Sequence, residues 1–423
     1  MTDVKPAQDL DLDWIRGQFP ALQQVDDAGR PLVFFDGPGG THVPEAVIDA
    51  VASYYRTNNA NTHGVFVTSR KTDEMMATAH RSAAEFLGCD ADEVVFGQNM
   101  TSLTFAVSRA IGNTLVPGDE VLLTTLDHDA NFTPWALMAR DRGLTVKVVD
   151  IDPRDCTLDL ADFERKLGPR TRLVAVGMAS NATGSRTDVA HIARRAHEVG
   201  ALVYADAVHH APHAPLDVRG LDCDFLACSA YKFFGPHLGL LYGRRSLLTQ
   251  YDAYRVRPAG SSGSEKWETG TQNHEGIAGF VAAIDYLEAL GRRVAPGVGS
   301  RRAALVAAMT AVQAYERRLA ERLLAGLARI AGLKVHGITD PERLDGRTPT
   351  VSIRIAGHSP VALARHLAER GICCWDGNFY AQNLAERLDV EATGGFLRIG
   401  LVHYNTVAEI ERLEAALAEL PPR

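Results

Sequence analysis

The sequence has few of the features that mark secreted, membrane-spanning or nucleic-acid-binding proteins. It carries only six cysteines in 423 residues, none at a metal-binding spacing, which disfavours a disulfide framework and a structural metal. No apolar run approaches the roughly 18 residues of a membrane span, and the first residues lack the apolar core of a signal peptide. Basic clusters are missing, and the net charge is −8. We therefore expect a cytoplasmic protein that binds neither membrane nor nucleic acid.

What is present is a large apolar fraction arranged in an alternating pattern. Hydrophobic residues make up 46% of the chain, enough to bury a large core. Apolar strand patterns at 173–178 and 202–205 alternate with helical patterns at 159–167 and 188–199. This alternation predicts an α/β protein with a mainly parallel, helix-covered sheet. Ligands of such sheets gather at the carboxyl ends of the strands.

The pattern changes along the chain, which indicates two domains. Residues 32–295 carry the strand–helix alternation and are predicted to form the large domain. A long helical pattern at 297–332 then leads into strands and helices of an α+β unit. We expect the smaller domain to combine residues 1–31 with 296–423.

Lys232 is the first candidate functional residue, because it follows an apolar run that ends at Ser229. Two interpretations compete: a lysine at a loop edge with its ammonium group in water, or a Schiff-base lysine made nucleophilic by desolvation. A second apolar strand ends in Asp206, 26 residues upstream. Pyridoxal phosphate enzymes need such a pair, an amine that holds the aldehyde and an acid that keeps the pyridine nitrogen protonated.

At this pair, the chain resembles the cysteine desulfurase-like group of the class V aminotransferase-fold proteins. The resemblance extends over nearly the whole chain, at residues 36–40 (DGPGG), 127–131 (DHDAN), 180–184 (SNATG), 229–236 (SAYKFFGP), 268–273 (ETGTQN) and 398–406 (RIGLVHYNT). It implies the fold of type I pyridoxal phosphate-dependent transferases, pyridoxal 5′-phosphate as cofactor, and a homodimer with shared active sites.

The resemblance also implies a role for individual residues. The catalytic residues would be Lys232, His128 and Asp206. Cofactor contacts would come from Met100, Thr101, His128, Asn181, Asp206, His209, Ser229, Tyr231, Lys232 and, across the dimer, Thr271. Substrate contacts would come from Gly40, Tyr380 and Arg398. No metal site is expected.

Taken without the resemblance, several of these residues have a simpler interpretation. Met100 and Thr101 could belong to an ordinary helix cap instead of a phosphate-binding turn. His128 could be structural, and Arg398 could be an ion-paired structural group instead of a clamp for a substrate carboxylate. The histidines at 209, 210 and 213 are close together, but no acidic or thiol ligand accompanies them at a recognised spacing.

Four positions depart from the pattern of the desulfurases, one of them Trp375, which holds the place of an arginine in the desulfurase loop. Histidine replaces glutamine at His209, and tyrosine replaces histidine at Tyr231. Counting from Gly371, the place of the desulfurases' mobile nucleophilic cysteine holds Tyr380, which cannot accept sulfur as a persulfide. Cys373 and Cys374 fall on a predicted strand, where apolar packing is the simplest role.

These features predict an enzyme, a lyase or transferase, that acts on an L-amino acid or similar amine with a carboxylate. The favoured chemistry is α-proton abstraction followed by β-elimination or C–S cleavage of a cysteine-like substrate, without the loop cysteine. Aminotransfer or epimerisation, which use the same carbanion, are the alternative. A non-catalytic, cofactor-dependent binding protein is a third possibility, disfavoured because no DNA-binding segment is fused and the lysine, aspartate and arginine are all present.

Overall fold

The computed structural model describes residues 10–261 and 263–420. The strands, numbered in chain order, are β1 Val33–Phe34, β2 Val94–Gly97, β3 Glu120–Thr124, β4 Thr145–Val149, β5 Ile151–Asp152, β6 Thr157–Leu158, β7 Thr171–Gly177, β8 Leu202–Asp206, β9 Phe225–Ser229, β10 Gly239–Gly243, β11 Leu333–His336, β12 Thr350–Ile355, β13 Ile372–Cys373, β14 Trp375–Gly377 and β15 Phe396–Gly400.

The α-helices are α1 Leu12–Gly17, α2 Glu45–Thr57, α3 Val67–Leu87, α4 Met100–Gly112, α5 Thr133–Arg142, α6 Leu160–Lys166, α7 Val189–Glu198, α8 Val218–Leu221, α9 Arg245–Gln250, α10 His274–Val294, α11 Arg301–Leu327, α12 Pro360–Ala368, α13 Gln382–Arg387 and α14 Val407–Ala418. Short 3₁₀ turns lie at Pro20–Gln23, Gly37–Gly39, Ala91–Glu93, Asp129–Asn131, Ala230–Lys232, Gly263–Lys266, Pro341–Gly346 and Glu391–Thr393. Within the described ranges, no helix is both long and apolar enough to cross a membrane.

The main sheet has seven strands in the order β2-β10-β9-β8-β7-β3-β4. Strands β4, β3, β7, β8 and β9 run parallel, and β10 is antiparallel to both of its neighbours. In the register, Asp206 lies level with Gly177 of β7 and Ala227 of β9. The predicted mainly parallel α/β sheet is thus confirmed, and the ends of its central strands meet at one edge.

Both faces of this sheet are covered by helices, because its strands are apolar on both sides. Successive residues of β8 point to opposite faces, so Val203 and Ala205 join one hydrophobic cluster and Tyr204 joins another. Helices α3, α7 and α10 contribute to the first cluster, and α4 and α5 contribute to the second. The buried sheet gives the site a rigid floor.

A smaller antiparallel sheet, β11-β12-β15-β14, lies in a separate hydrophobic cluster with α11, α12 and α14. Val33 and Phe35 pack in this smaller cluster, since β1 pairs with β13. Ile15 and Phe19 pack in the large one. The domain division at residues 32 and 296 stays a prediction.

The helix that faces the site begins earlier than its apolar pattern indicates. The apolar residues that follow the turn predict a helix that starts near Leu103, whereas α4 begins at Met100. Asn99 is the cause, because its side-chain oxygen accepts the backbone N–H of Ser102 at 2.9 Å, while the Ser102 side chain accepts the Asn99 N–H. This reciprocal cap allows the first turn to form ahead of the apolar residues.

Arg347 connects segments that are distant in the sequence, and its removal is expected to destabilise the fold. It is 6% exposed and donates to the carbonyls of Ile338, Thr183 and Thr350. We expect Arg347→Ala to lower the free energy of unfolding in urea by about 3 kcal/mol, because several buried acceptors lose a charged donor.

Two control variants accompany this prediction. Arg347→Lys should lose less stability, because it keeps the charge but not the planar fork. Arg154→Ala should change the free energy of unfolding by less than about 0.5 kcal/mol, since Arg154 has an 87% exposed side chain. An Arg347→Ala protein as stable as the Arg154→Ala protein would contradict the assignment.

Candidate active site

A cavity of about 860 Å³ opens at the edge of the main sheet where its parallel strands end. Its lining brings together eleven of the residues predicted from the sequence: Met100, Thr101, His128, Asn181, Asp206, His209, Ser229, Tyr231, Lys232, Tyr380 and Arg398. Two predicted residues lie outside the lining. Gly39 takes the place expected for Gly40, which lies against the Tyr231 ring. Thr271 is exposed at the surface, so its contact with a partner's site stays a prediction.

Lys232 enters the cavity from the 3₁₀ turn that follows β9. Its Nζ donates to the carbonyl of Pro38 at 2.5 Å and lies 4.7 Å from the centre of the Tyr231 ring. Desolvation and, to a smaller extent, the positive charge of Arg398 lower the pKa of the amine to about 7, against the opposing effect of Asp206. A large fraction of the amine is therefore neutral near pH 7, which is the form that attacks a carbonyl.

Two buried carboxyl groups share the floor of the cavity. Asp206 ends β8, is 8% exposed, and accepts the backbone N–H of Val208 at 2.8 Å. Burial raises the pKa of Asp206 to about 6. Asp127 accepts hydrogen bonds from Thr124 and Asn131, and burial, with some repulsion from Asp206, raises its pKa to about 7. Both carboxyl groups would become more acidic beside a cation, which makes the floor suited to a positively charged ring.

The amino end of α4 forms another wall of the cavity. The backbone N–H of Met100 donates to Ser229 Oγ at 3.0 Å, and Thr101 is exposed in the first helical turn. The N–H groups at the start of this 13-residue helix point towards its amino end, where the helix dipole creates a positive local potential. This corner is suited to an anion such as a phosphate group.

The His128 imidazole is held on two sides. Its Nδ1 accepts the backbone N–H of Ala130 at 3.0 Å, so a neutral ring carries its proton on Nε2. The Tyr380 ring stacks on it with centroids 5.3 Å apart and an interplanar angle of 20°. Desolvation, followed by the charges of Lys232 and Arg398, lowers the pKa of His128 to about 4. The ring is therefore neutral at physiological pH.

Arg398 is buried in β15 with its guanidinium at the cavity. Its Nη1 donates to the carbonyl of Asn181 at 3.0 Å, and its Cζ lies 4.1 Å from the centre of the Phe379 ring. Desolvation lowers the pKa of Arg398 to about 9, with Asp36 opposing. Among the described residues, no ion pair involves Arg398 within 4 Å. This leaves the guanidinium without a bound carboxylate, as a substrate clamp requires.

The neighbouring histidines have separate partners. His209 Nε2 lies 3.1 Å from Thr348 Oγ1, whereas His213 Nδ1 lies 2.8 Å from the Glu316 carboxylate. Burial lowers the pKa of His210 to about 3. In residues 10–261 and 263–420, no three side chains of the metal-ligating types gather around one point.

Several contacts in the cavity escape the sequence analysis. The carbonyl of Pro38 and the ring of Phe379 contact Lys232 and Arg398, but neither residue type signals such a role. His237 lines the cavity and stacks on Tyr231 at 4.9 Å. The sequence could have indicated Asp127 as a site residue, since a carboxylate at the end of an apolar strand and next to a candidate histidine is unusual.

A half-buried lysine and a buried carboxylate lie at the strand ends of a mostly parallel sheet, an arrangement suited to an aldehyde cofactor. The chain belongs to the aminotransferase class-V family, whose model matches residues 33–413. Cysteine desulfurases and class V aminotransferases depend on pyridoxal phosphate, and within that family this chain is similar to the cysteine desulfurases.

Relatives and solved structures agree with this family. A probable cysteine desulfurase of Mycolicibacterium paratuberculosis is 33% identical over 95% of this chain and 57% of its own length. A cysteine desulfurase of Dickeya dadantii is 32% identical over 97% of both chains. The apo structure of the cysteine desulfurase of Thermococcus onnurineus superimposes with a TM-score of 0.83 and 25% identity, covering 98% of this chain and 99% of that one. The chain thus spans less than two thirds of the first relative and nearly all of the second.

The cavity fits pyridoxal phosphate in its chemistry as well as its size. It offers an amine, a buried carboxyl group and a helix amino terminus, which match the aldehyde, the ring nitrogen and the phosphate of the cofactor. A volume of about 860 Å³ leaves room for a substrate beside the cofactor.

The low pKa of Lys232 predicts how the rate of covalent attachment of the cofactor to the apoprotein depends on pH. The neutral amine is the nucleophile, so the rate of attachment should rise with pH around a midpoint near 7, where an ordinary lysine would have a midpoint near 10.5. Stopped-flow absorbance across a pH series measures this rate. Arg398→Gln should move the midpoint to higher pH, because it removes a neighbouring positive charge. A midpoint above 9 in the unmodified protein would contradict the description of this site.

Proposed function

We propose that this enzyme abstracts the α-proton of a sulfur-containing L-amino acid and then cleaves its Cβ–S bond by β-elimination. The observation that carries the proposal is the chemistry of the cavity. An amine, a carboxyl group and a guanidinium line it, but among the described residues no cysteine does. The desulfurase relatives support a sulfur-bearing substrate. Elimination needs no thiol on the enzyme.

Three residues would carry the chemistry. Lys232 would hold the cofactor and then take the proton from the substrate's α-carbon. Asp206 would pair with the ring nitrogen, and neutral His128 would cover the ring. When bound, pyridoxal phosphate supplies a ring that accepts the electron pair left on the α-carbon.

Other residues of the cavity would bind the remaining parts of the cofactor. Its phosphate would lie at the amino end of α4, held by Met100, Thr101, Ser229, Tyr231 and, from a second subunit of a homodimer, Thr271. Asn181 and His209 would contact the polar edge of the ring. These assignments rest on the shared cavity lining and on the family resemblance.

Arg398 would clamp the substrate carboxylate and so orient the bonds of the α-carbon. A planar guanidinium binds a carboxylate with two parallel hydrogen bonds, which fixes the direction of the neighbouring bonds. Gly40, which has no side chain, would allow the backbone next to Tyr231 to come close to the substrate. Tyr380 would shape the mouth of the pocket. With the α-carbon fixed, the Lys232 amine would move one proton.

The elimination balances without an added oxidant or reductant. The electron pair of the former Cα–H bond forms the Cα–Cβ double bond as the Cβ–S bond breaks and the sulfur leaves as a thiolate. Water then hydrolyses the released unsaturated product to pyruvate and ammonium. A free thiol, or sulfide from cysteine itself, is the other product.

The two nearby thiols are poor nucleophiles for an alternative route through a persulfide. Cys373 belongs to β13, and burial raises its pKa. Desolvation raises the pKa of Cys374 well above its ordinary value. Only a thiolate attacks sulfur, so both groups are held in the unreactive form.

Product analysis tests the proposed reaction. Purified enzyme is incubated with L-cysteine, its S-substituted derivatives and a panel of other L-amino acids. Sulfide or thiol, pyruvate, alanine, keto acids and the configuration of the remaining substrate are then measured. We expect equal amounts of pyruvate and thiol. Alanine with enzyme-bound persulfide would indicate desulfuration, and a keto acid without thiol or a racemised substrate would indicate aminotransfer or epimerisation. Each of these results would overturn the proposal.

Asp206→Ala is expected to lower kcat/KM about a thousandfold, or ~4 kcal/mol, because a charged partner in a desolvated site stabilises developing charge strongly. Cofactor content, measured after alkaline release, should be normalised between variants. Asp222→Asn serves as the control, since Asp222 is exposed and asparagine tolerates its left-handed backbone. Undiminished turnover by Asp206→Ala would exclude the proposed role of Asp206.

The double change Cys373→Ala and Cys374→Ala is expected to alter kcat/KM by less than about tenfold, or ~1.4 kcal/mol of barrier. Tyr380→Ala should change the ratio of kcat/KM between substrates more than the double change does. Mass spectrometry after incubation with L-cysteine provides the opposing test. A persulfide on either cysteine, with loss of alanine formation in the double variant, would show a desulfurase mechanism.

A further inference from the structure

The loop that carries Tyr380 has an unusual backbone. Phe379 and Tyr380 are consecutive and both adopt left-handed conformations, with φ of 57° and 59°. Bulky residues rarely adopt this region, and each such residue costs of order 1 kcal/mol or more. Two such residues in succession persist only if their surroundings hold them in place.

Hydrogen bonds from the large sheet's loops hold this pair. The carbonyl of Tyr380 accepts the backbone N–H of Asp129 at 2.7 Å, and the carbonyl of Phe379 accepts Asn181 Nδ2 at 2.8 Å. Within the loop, the N–H of Tyr380 donates to Asn378 Oδ1 at 3.0 Å. The loop is thus pinned to the same segments that carry His128 and Asn181.

In this conformation, the rings of Phe379 and Tyr380 contact two different functional groups. The Phe379 ring lies 4.1 Å from the Arg398 guanidinium carbon, within cation–π range. The Tyr380 ring stacks on His128. Asn181 closes the arrangement, since its side chain donates to Phe379 while its carbonyl accepts from Arg398. The guanidinium therefore has a ring on one face and a carbonyl at its edge.

We propose that Phe379 and Tyr380 are positioning residues: Phe379 holds the Arg398 guanidinium in its carboxylate-binding orientation, and Tyr380 holds the His128 imidazole against the cofactor. The proposal rests on the proposed roles of Arg398 and His128. It goes beyond them by assigning a role to Phe379 and by making this loop a fixed support of the site.

Binding of L-alanine tests the Phe379 arm, because alanine has a carboxylate but no β-substituent to eliminate. Its dissociation constant is measured from the change in cofactor absorbance of holoenzyme. We expect Phe379→Leu to weaken L-alanine binding about tenfold, since the ring is lost. Phe379→Tyr keeps the ring, so it should bind L-alanine within about twofold of the unmodified protein. In an Arg398→Gln background, Phe379→Leu should have no further effect, because the group it positions is gone.

A second measurement needs neither cofactor nor turnover. Phenylglyoxal modifies arginine, and peptide mass spectrometry gives its rate at Arg398 in the apoprotein. We expect Phe379→Leu to speed modification at least threefold and Phe379→Tyr to leave it unchanged. If Phe379→Leu fails to fold, Phe379→Gly replaces it, since glycine accepts a φ of 57° without strain.

The proposed role of Tyr380 is tested by the affinity of the apoprotein for pyridoxal phosphate. Tyr380→Leu should weaken pyridoxal phosphate binding to apoprotein about fivefold, and Tyr380→Phe should retain it. In the cofactor-saturated enzyme, Tyr380→Leu should weaken L-alanine binding less than Phe379→Leu does, because the Tyr380 ring does not contact the Arg398 guanidinium.

Two results would overturn the inference. One is that Phe379→Leu changes neither the binding of L-alanine nor the reactivity of Arg398. The other is that Phe379→Leu weakens L-alanine binding by the same factor in the Arg398→Gln background as in the unmodified protein. Failure of the proposed elimination would look different, because the wild-type protein would then bind L-alanine through Arg398 yet release no thiol from any substrate.

Discussion

Desolvation of the Lys232 amine is the interaction on which the rest of the site depends. Burial near Arg398 lowers the pKa of this amine to about 7, while Asp206 limits the shift. A lysine in water would be almost fully protonated at neutral pH and unable to attack an aldehyde. The same desolvation raises the pKa of the two floor carboxyl groups and keeps His128 neutral. One low-dielectric cavity thus sets the protonation state of each group.

The fold produces this cavity through the ends of its strands. Asp206 ends β8, Lys232 follows β9, and both side chains line the cavity because the two strands are parallel neighbours. Arg398 comes from the smaller sheet and lines the same cavity. Residues of the cavity wall pack closely there. A Cβ added at Gly39 would lie 2.9 Å from Trp375 Nε1, so only glycine fits without movement.

The sequence predicts the parts of this arrangement that depend on local patterns. Strand periodicity places Asp206 and Ser229 at strand ends, and the family resemblance adds Arg398 and His128. The sequence cannot predict contacts that depend on how loops approach one another. The Pro38 carbonyl on Lys232 and the Phe379 ring on Arg398 have no local pattern. The left-handed pair at Phe379 and Tyr380 is stabilised by distant donors, so propensity alone would assign it another conformation.

Borohydride reduction followed by peptide mapping tests the central claim most directly, namely that Lys232 is the residue that carries the cofactor. Reduced holoenzyme should give one pyridoxyl-modified peptide, with the mass increment on Lys232. Lys232→Ala should remain folded and bind pyridoxal phosphate only reversibly, with no modified peptide after reduction. A pyridoxyl group fixed to another lysine in the unmodified protein, or retained in Lys232→Ala at an equal amount, would contradict the account.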